Sequence, residues 1–137
     1  MMLATLLIFA LLGTASSAAD HQHHSEQPLW DLNKVESKLK AASFKIRRDV
    51  AVNQPFLSIS GRVLVVGEGE AEIQTYIYKS SEKRAADTDK LDPKRVTPPT
   101  MRAAWMMPPS LVTSRNLAAI VLTRNEALRQ KISAALQ

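Results

Sequence analysis

Six consecutive residues, Leu117-Ala118-Ala119-Ile120-Val121-Leu122, form the most apolar run of the chain that lies beyond its first nineteen residues. A run this short, bounded by Asn116 and Thr123, suits a β-strand buried on both faces. Such a strand needs partners on either side and cover above and below, so the rest of the chain must supply a sheet and two layers of packing. The chain has 137 residues, enough for one domain. Aromatic residues make up only 5%, so the predicted core is aliphatic. There is no cysteine, which removes disulfides, thiolate metal ligands and a cysteine nucleophile.

Residues 1–19 read as a secretory signal peptide. Residues 3–12 are largely apolar and are followed by Gly13, Thr14 and the small residues Ala15, Ser16, Ser17, Ala18 and Ala19. Small side chains one and three positions before the cut suit a signal peptidase, and cuts after Ala18 or Ala19 both satisfy this. The n-region carries no Lys or Arg. The apolar run is shorter than the roughly 20 residues that span a bilayer. No later segment has the length and apolarity to cross one, so the expected location is secreted or periplasmic. The formal net charge of +5 falls entirely after residue 19.

Residues 20–28 are predicted to be a flexible arm that holds all three histidines, His21, His23 and His24. A cut after Ala18 would leave Ala19-Asp20-His21 at the terminus, where an amine, two amides and an imidazole could wrap Cu(II) or Ni(II) in a square plane. No other cofactor is implied.

Residues 29–137 are expected to form one α+β domain. Leu32, Val35, Leu39 and Ala42 recur at helical spacing over 29–43, with Trp30 at the helix entrance. Residues 44–52 alternate as a first strand. Residues 34–48 hold six basic residues against Glu36, but without interleaved aromatics, so a solvated face is favoured over nucleic acid. A long strand is expected over 56–66, with a bend at Ser60-Gly61. Gly67-Glu68-Gly69-Glu70 then forms a hairpin turn and 71–79 the returning strand. On that strand Tyr76 and Tyr78 share a face and could line a binding surface. A short helix over 80–91 starts at Ser80 or Ser81. Asp87, Asp89 and Asp92 do not have calcium-loop spacing.

Met101, Ala103, Trp105 and Met107 alternate with Arg102, Ala104 and Met106, which predicts a strand stopped by Pro108-Pro109. Residues 110–116 then form a loop before the strand 117–122. Thr123-Arg124-Asn125-Glu126 has the pattern of a capping box opening a final helix.

From Glu72 onward the chain carries, in order, Glu72-Ile73-Gln74 with Tyr76 and Tyr78, Ala85-Ala86-Asp87, Thr100-Met101 with Trp105, and Pro108-Pro109 before the apolar strand. In these residues it resembles a group of bacterial exported proteins and lipoproteins without an established activity. Many members have a His after the two prolines, where this chain has Ser110. It implies export and this fold, and no chemistry.

The expected architecture is a two-layer α+β sandwich. A mainly antiparallel sheet of about five strands carries helices on one face, in the order α-β-β-β-α-β-β-α, with a partly closed barrel as the alternative. The function these features favour is a non-catalytic binding module of the envelope or extracellular space. Its contact residues would be Tyr76, Tyr78, Trp105, Pro108 and Pro109, and its partner an unidentified protein or envelope component. Copper or nickel binding by the arm is a second reading. A small hydrolase is the least favoured, because no His in the domain could serve as base and no nucleophile elbow is present.

Overall fold

The computed structural model describes residues 28–137. The expected signal peptide and His21, His23 and His24 lie outside them. Helix α1 (Leu32–Ala41) begins where the Asp31 carboxylate accepts the Lys34 amide at 2.7 Å, and it buries Val35 and Leu39. Strands β1 (Ile46–Val52), β2 (Gly61–Val66) and β3 (Ala71–Ile77) form an antiparallel meander. The β2–β3 turn takes positive φ at Gly67 and Gly69, as its glycines predict. Helix α2 (Ser81–Thr88) is capped by the Ser80 hydroxyl, which accepts the Lys83 amide at 3.2 Å. Strands β4 (Pro109–Ser114) and β5 (Leu117–Thr123) make a second hairpin, and α3 (Glu126–Ala135) follows. Among the described residues, no helix is long and apolar enough to cross a membrane.

The five strands pair antiparallel throughout, in the order β1-β2-β3-β5-β4. The α+β class and the element order are those the sequence predicts. β5 is an inner strand, and every one of its seven residues is buried. Leu117, Ala119 and Val121 face a core closed by Trp30, Val35 and Leu39 from the α1 side and by Ile132 and Leu136 from the α3 side. Ala118, Ile120 and Leu122 face a second core with Tyr76, Tyr78, Leu91 and Val96.

The helices do not all share one face. α1 and α3 cover the first core, whereas α2 is tied to the second through Asp87, which takes the Tyr78 hydroxyl at 2.7 Å. Irregular chain between β1 and β2 and between α2 and β4 adds to that cover with Phe56, Leu57, Ile59, Trp105 and Met107.

Four local expectations are corrected. The strand predicted over 56–66 begins only at Gly61, because Phe56, Leu57 and Ile59 are drawn onto the second core instead of into pairing. Residues 101–107 form no strand despite their alternation, and the pairing partner of β5 is Pro109–Ser114, joined to it by only Arg115-Asn116. Pro108-Pro109 therefore opens a strand. The cap of α3 is Asn125, whose side chain accepts the Leu128 amide at 3.1 Å. Thr123 remains in the sheet, donating its hydroxyl to the Glu70 carbonyl at 2.8 Å. In β1, a register shift between Arg48 and Ala51 turns Val50 outward to 63% exposure, so the alternation expected over 44–52 is broken there.

Candidate functional site: a cationic cleft beside Trp105

The two tyrosines do not line an exposed surface. Tyr76 is fully buried, its hydroxyl donating to Gln74 Oε1 at 2.9 Å. Gln74 Oε1 also accepts from Gln54 Nε2 at 2.9 Å. Tyr78 is 3% exposed and donates to Asp87. Burial pushes both phenols well above their ordinary range, and at Tyr78 the Asp87 carboxylate adds to the effect. Asp87 Oδ2 also accepts the Ser58 amide at 2.8 Å and the Ser58 hydroxyl at 2.7 Å. Burial pushes the Asp87 carboxyl up, but these donors outweigh it and hold the group below its usual value. The cluster pins the 53–60 loop to α2. Its buried polar groups satisfy one another, which marks it as a structural tie.

Trp105 and Pro109 come together at a different place. They line a cleft of about 410 Å³ with Lys94, Arg95, Thr97, Arg102 and Ala103. Three of these side chains are cationic and none is acidic. Trp105 is half-buried. Its ring meets Phe56 edge to face at 6.4 Å between centroids, and its indole N–H donates to the Arg95 carbonyl at 2.8 Å. One end of the indole is therefore fixed and a flank is left on the cleft.

The part of the lining that carries Lys94 and Arg95 is a tight turn organised by Asp92. Its Oδ1 accepts the amides of Lys94 at 2.9 Å and Arg95 at 3.1 Å. Those two donors hold the carboxyl below its usual value. Asp92 and Thr97 pair through a single β-bridge, with the Asp92 amide donating to the Thr97 carbonyl at 2.7 Å. The turn closes only because Val96 adopts φ +53° while completely buried. A β-branched residue in this left-handed region is strained, and such strain persists only where the surroundings impose it. Here the imposing groups are the Asp92 hydrogen bonds and the core beneath Val96. The result presents Lys94 and Arg95 toward Trp105. Arg95 Nε also approaches Asp92 Oδ2 at 3.5 Å and its Nη2 donates to the Pro99 carbonyl at 3.4 Å, so the guanidinium that lines the cleft is held from behind.

Pro108 is exposed and does not line the cleft, but its carbonyl accepts Arg129 Nη2 at 2.7 Å, which fixes the start of β4. Met106, 83% exposed, and Met101, 38% exposed, flank the Trp105 segment. Sequence reasoning selected Trp105 and Pro109 and missed Lys94, Arg95, Thr97 and Arg102. The readable signal was three cations within nine residues of one another, 94–102, in a segment with prolines at 93, 98 and 99.

Two other clefts differ in character. One of about 600 Å³ is lined by Pro28, Leu29, Lys79, Ser80, Ser81, Glu82 and Arg115, and mixes charges of both signs. The other, about 460 Å³, lies over the Ser58–Asp87–Tyr78 tie. In the basic stretch 34–48, Arg48 is held by both oxygens of Glu36, at 3.1 and 2.8 Å, and by Asn33.

The Trp105 cleft combines same-sign charge, an aromatic flank and a strained wall. Guanidinium and ammonium groups around a partly apolar hollow suit a carboxylate or phosphate carried on an apolar body. No family model, curated protein or solved structure matches the chain.

Proposed function

We propose that the chain is an exported, non-catalytic binding module that takes an anionic ligand in the cleft beside Trp105. The observation that carries this reading is the lining of that cleft: Lys94, Arg95 and Arg102 around Trp105, without an acidic side chain among them. Such a site attracts and orients negative charge. Its polar side chains, three cations and Thr97, include no carboxylate or imidazole to serve as a general base at neutral pH, which favours binding over catalysis. Export rests on the small-residue segment Ala15–Ala19 after an apolar run, and the ligand would belong to a protein or another component of the envelope.

The test is an NMR titration of the protein with phenylacetate and, separately, with neutral phenylacetamide. Phenylacetate is expected to shift the Trp105 indole N–H and the Arg95 and Arg102 side-chain resonances, and phenylacetamide to leave them in place. Arg102→Glu is expected to remove the response. Equal responses to the two compounds would refute an anion site. Export is tested by the intact mass of protein recovered outside the cytoplasm of an expressing bacterium. A mass beginning at Ala19 or Asp20 supports it, and a chain retained in the cytoplasm with Met1 refutes it.

A further inference from the structure

The sheet has two edges, β1 and β4, and they are built differently. β1 is guarded. Its pairing with β2 is broken between Arg48 and Ala51, and it carries Arg47, Arg48 and Asp49. A bulge and charges are the usual means of keeping another strand off an edge. β4 has neither. It pairs with β5 without a register break through all six residues, and Pro-Ser-Leu-Val-Thr-Ser contains no charge.

The orientation of its backbone follows from one hydrogen bond. The Thr123 amide donates to the Pro108 carbonyl at 3.3 Å, so residues 108, 110, 112 and 114 turn their backbone groups toward β5. The amides and carbonyls of Leu111 and Thr113, and the carbonyl of Pro109, then point away from the sheet. The side chains of Pro109 and Leu111 lie on the Trp105 face: Pro109 lines the cleft and Leu111 packs on the second core. A strand laid along β4 would place the residues opposite Pro109 and Leu111 on that same face, because directly paired residues share a face.

Resting on the anion-binding reading of the cleft, we propose that β4 is the docking edge for an extended acidic segment of a partner protein. The segment adds as a sixth strand and sets a carboxylate beside Lys94, Arg95 and Arg102. Its pattern follows from the spacing. An apolar side chain opposite Leu111 and an acidic one opposite Pro109 are two residues apart, so the partner segment alternates with acidic and apolar groups at i and i+2. Main-chain pairing supplies the attachment, and the cleft supplies the choice of charge.

The test uses the unaltered protein and four synthetic peptides: acetyl-Glu-Thr-Val-Thr-Glu-Thr-amide, the same peptide with both Glu replaced by Lys, and two isomers of the acidic peptide, N-methylated at the odd-numbered and at the even-numbered amides. The acidic peptide is expected to slow amide exchange at Leu111 and Thr113 and to shift the Trp105 indole resonance. The Lys peptide and at least one N-methyl isomer are expected to bind at least ten-fold more weakly. Thr113→Pro, which removes an outward amide at an edge position where proline is tolerated, is expected to weaken the acidic peptide similarly. Equal binding of every N-methylated form would overturn strand addition while leaving the cleft as an anion site. Loss of charge discrimination would overturn both. A dimer in solution that Thr113→Pro dissociates would reassign the edge to a second copy of this chain. A Trp105 shift caused by the acidic peptide without protection at Leu111 and Thr113, and reproduced by vesicles of phosphatidylglycerol, would reassign the site to a membrane surface.

Discussion

Asn116 holds both the backbone N–H and the carbonyl of Trp30, 86 residues away in sequence. The Asn116 side-chain oxygen accepts the Trp30 amide at 2.7 Å, and its Nδ2 donates to the Trp30 carbonyl at 2.9 Å and to the Tyr78 carbonyl at 2.9 Å. Asn116 is 1% exposed, so these groups have no water to fall back on. The Trp30 ring itself lies 5.1 Å from the Arg115 guanidinium carbon, and its indole N–H reaches Ser114 Oγ at 3.2 Å. The β4–β5 turn therefore anchors the segment that leads into α1. Asn116→Ala should cost about 3 kcal/mol in urea denaturation, the scale of leaving buried backbone groups unpaired. Asn116→Asp, similar in shape, should cost at least as much at neutral pH, because it sets a carboxylate against two carbonyl oxygens. An Asp variant as stable as wild type would contradict this geometry.

Arg129 is the second long-range tie. Its Nη1 donates to Ser110 Oγ and the Val121 carbonyl, its Nη2 to the carbonyls of Pro108 and Thr123, and its Nε to Glu126. The planar guanidinium supplies five donors to five acceptors, which an ammonium cannot imitate. Arg129→Lys should therefore lose about 2 kcal/mol despite keeping its charge, within the range for hydrogen bonds to charged groups. The Pro109 wall of the cleft should loosen with it, read as faster amide exchange at Leu111. A Lys variant with wild-type stability and exchange would show that charge alone suffices.

Gly61 is set by a close approach. A Cβ there would meet the Thr75 carbonyl oxygen at 2.6 Å and Tyr76 Cε1 at 2.7 Å. Both obstacles are rigid: one is backbone and the other a buried ring. Gly61→Ala should destabilise by about 1–3 kcal/mol, the usual cost of overpacking. The paired substitution Gly61→Ala with Tyr76→Leu should recover part of it in a double-mutant cycle.

The pH response centres on Asp87. Its folded carboxyl lies below its ordinary value, so the stability it contributes is present above about pH 4, where the unfolded Asp ionises, and is lost as pH falls through the folded value. Asp92 and Glu36 are lowered too and act in the same window. Asp87→Ala should cost about 1–3 kcal/mol at pH 7 by leaving the buried Tyr78 hydroxyl without its acceptor. It should also flatten the stability profile below pH 4. A variant whose acid limb matches wild type would shift the dependence to the other two carboxyls.

The sequence and the structure agree where the signal is local. β5 is legible as a doubly covered strand from its composition, the β2–β3 hairpin from its two glycines, and α1 from Val35 and Leu39. Shared parity placed Tyr76 and Tyr78 on one face correctly. What that face meets depends on Leu91, Val96 and Trp105, and no local pattern in β3 announces their arrival. Residues 101–107 imitate a strand because Met, Ala and Trp happen to alternate there, whereas true β4 hides in Ser and Thr. Its turn lacks a glycine: Arg115 takes φ +52° beside an Asn116 whose side chain has a longer-range task. The cleft was half legible, since Trp105 and Pro109 stand out but the cations depend on a left-handed Val96, a conformation no valine advertises.

The strand order has a consequence for synthesis. A ribosome completes β1, β2 and β3 before α2 is made, yet the neighbour of β3 on its other side is β5, some forty residues later. Until then the meander presents the backbone of Ala71–Ile77, flanked by surfaces that the finished protein buries. A nascent or truncated chain ending near Pro108 would thus offer a sticky half-sheet, and the period between emergence of β3 and arrival of β5 is when this protein most needs a chaperone.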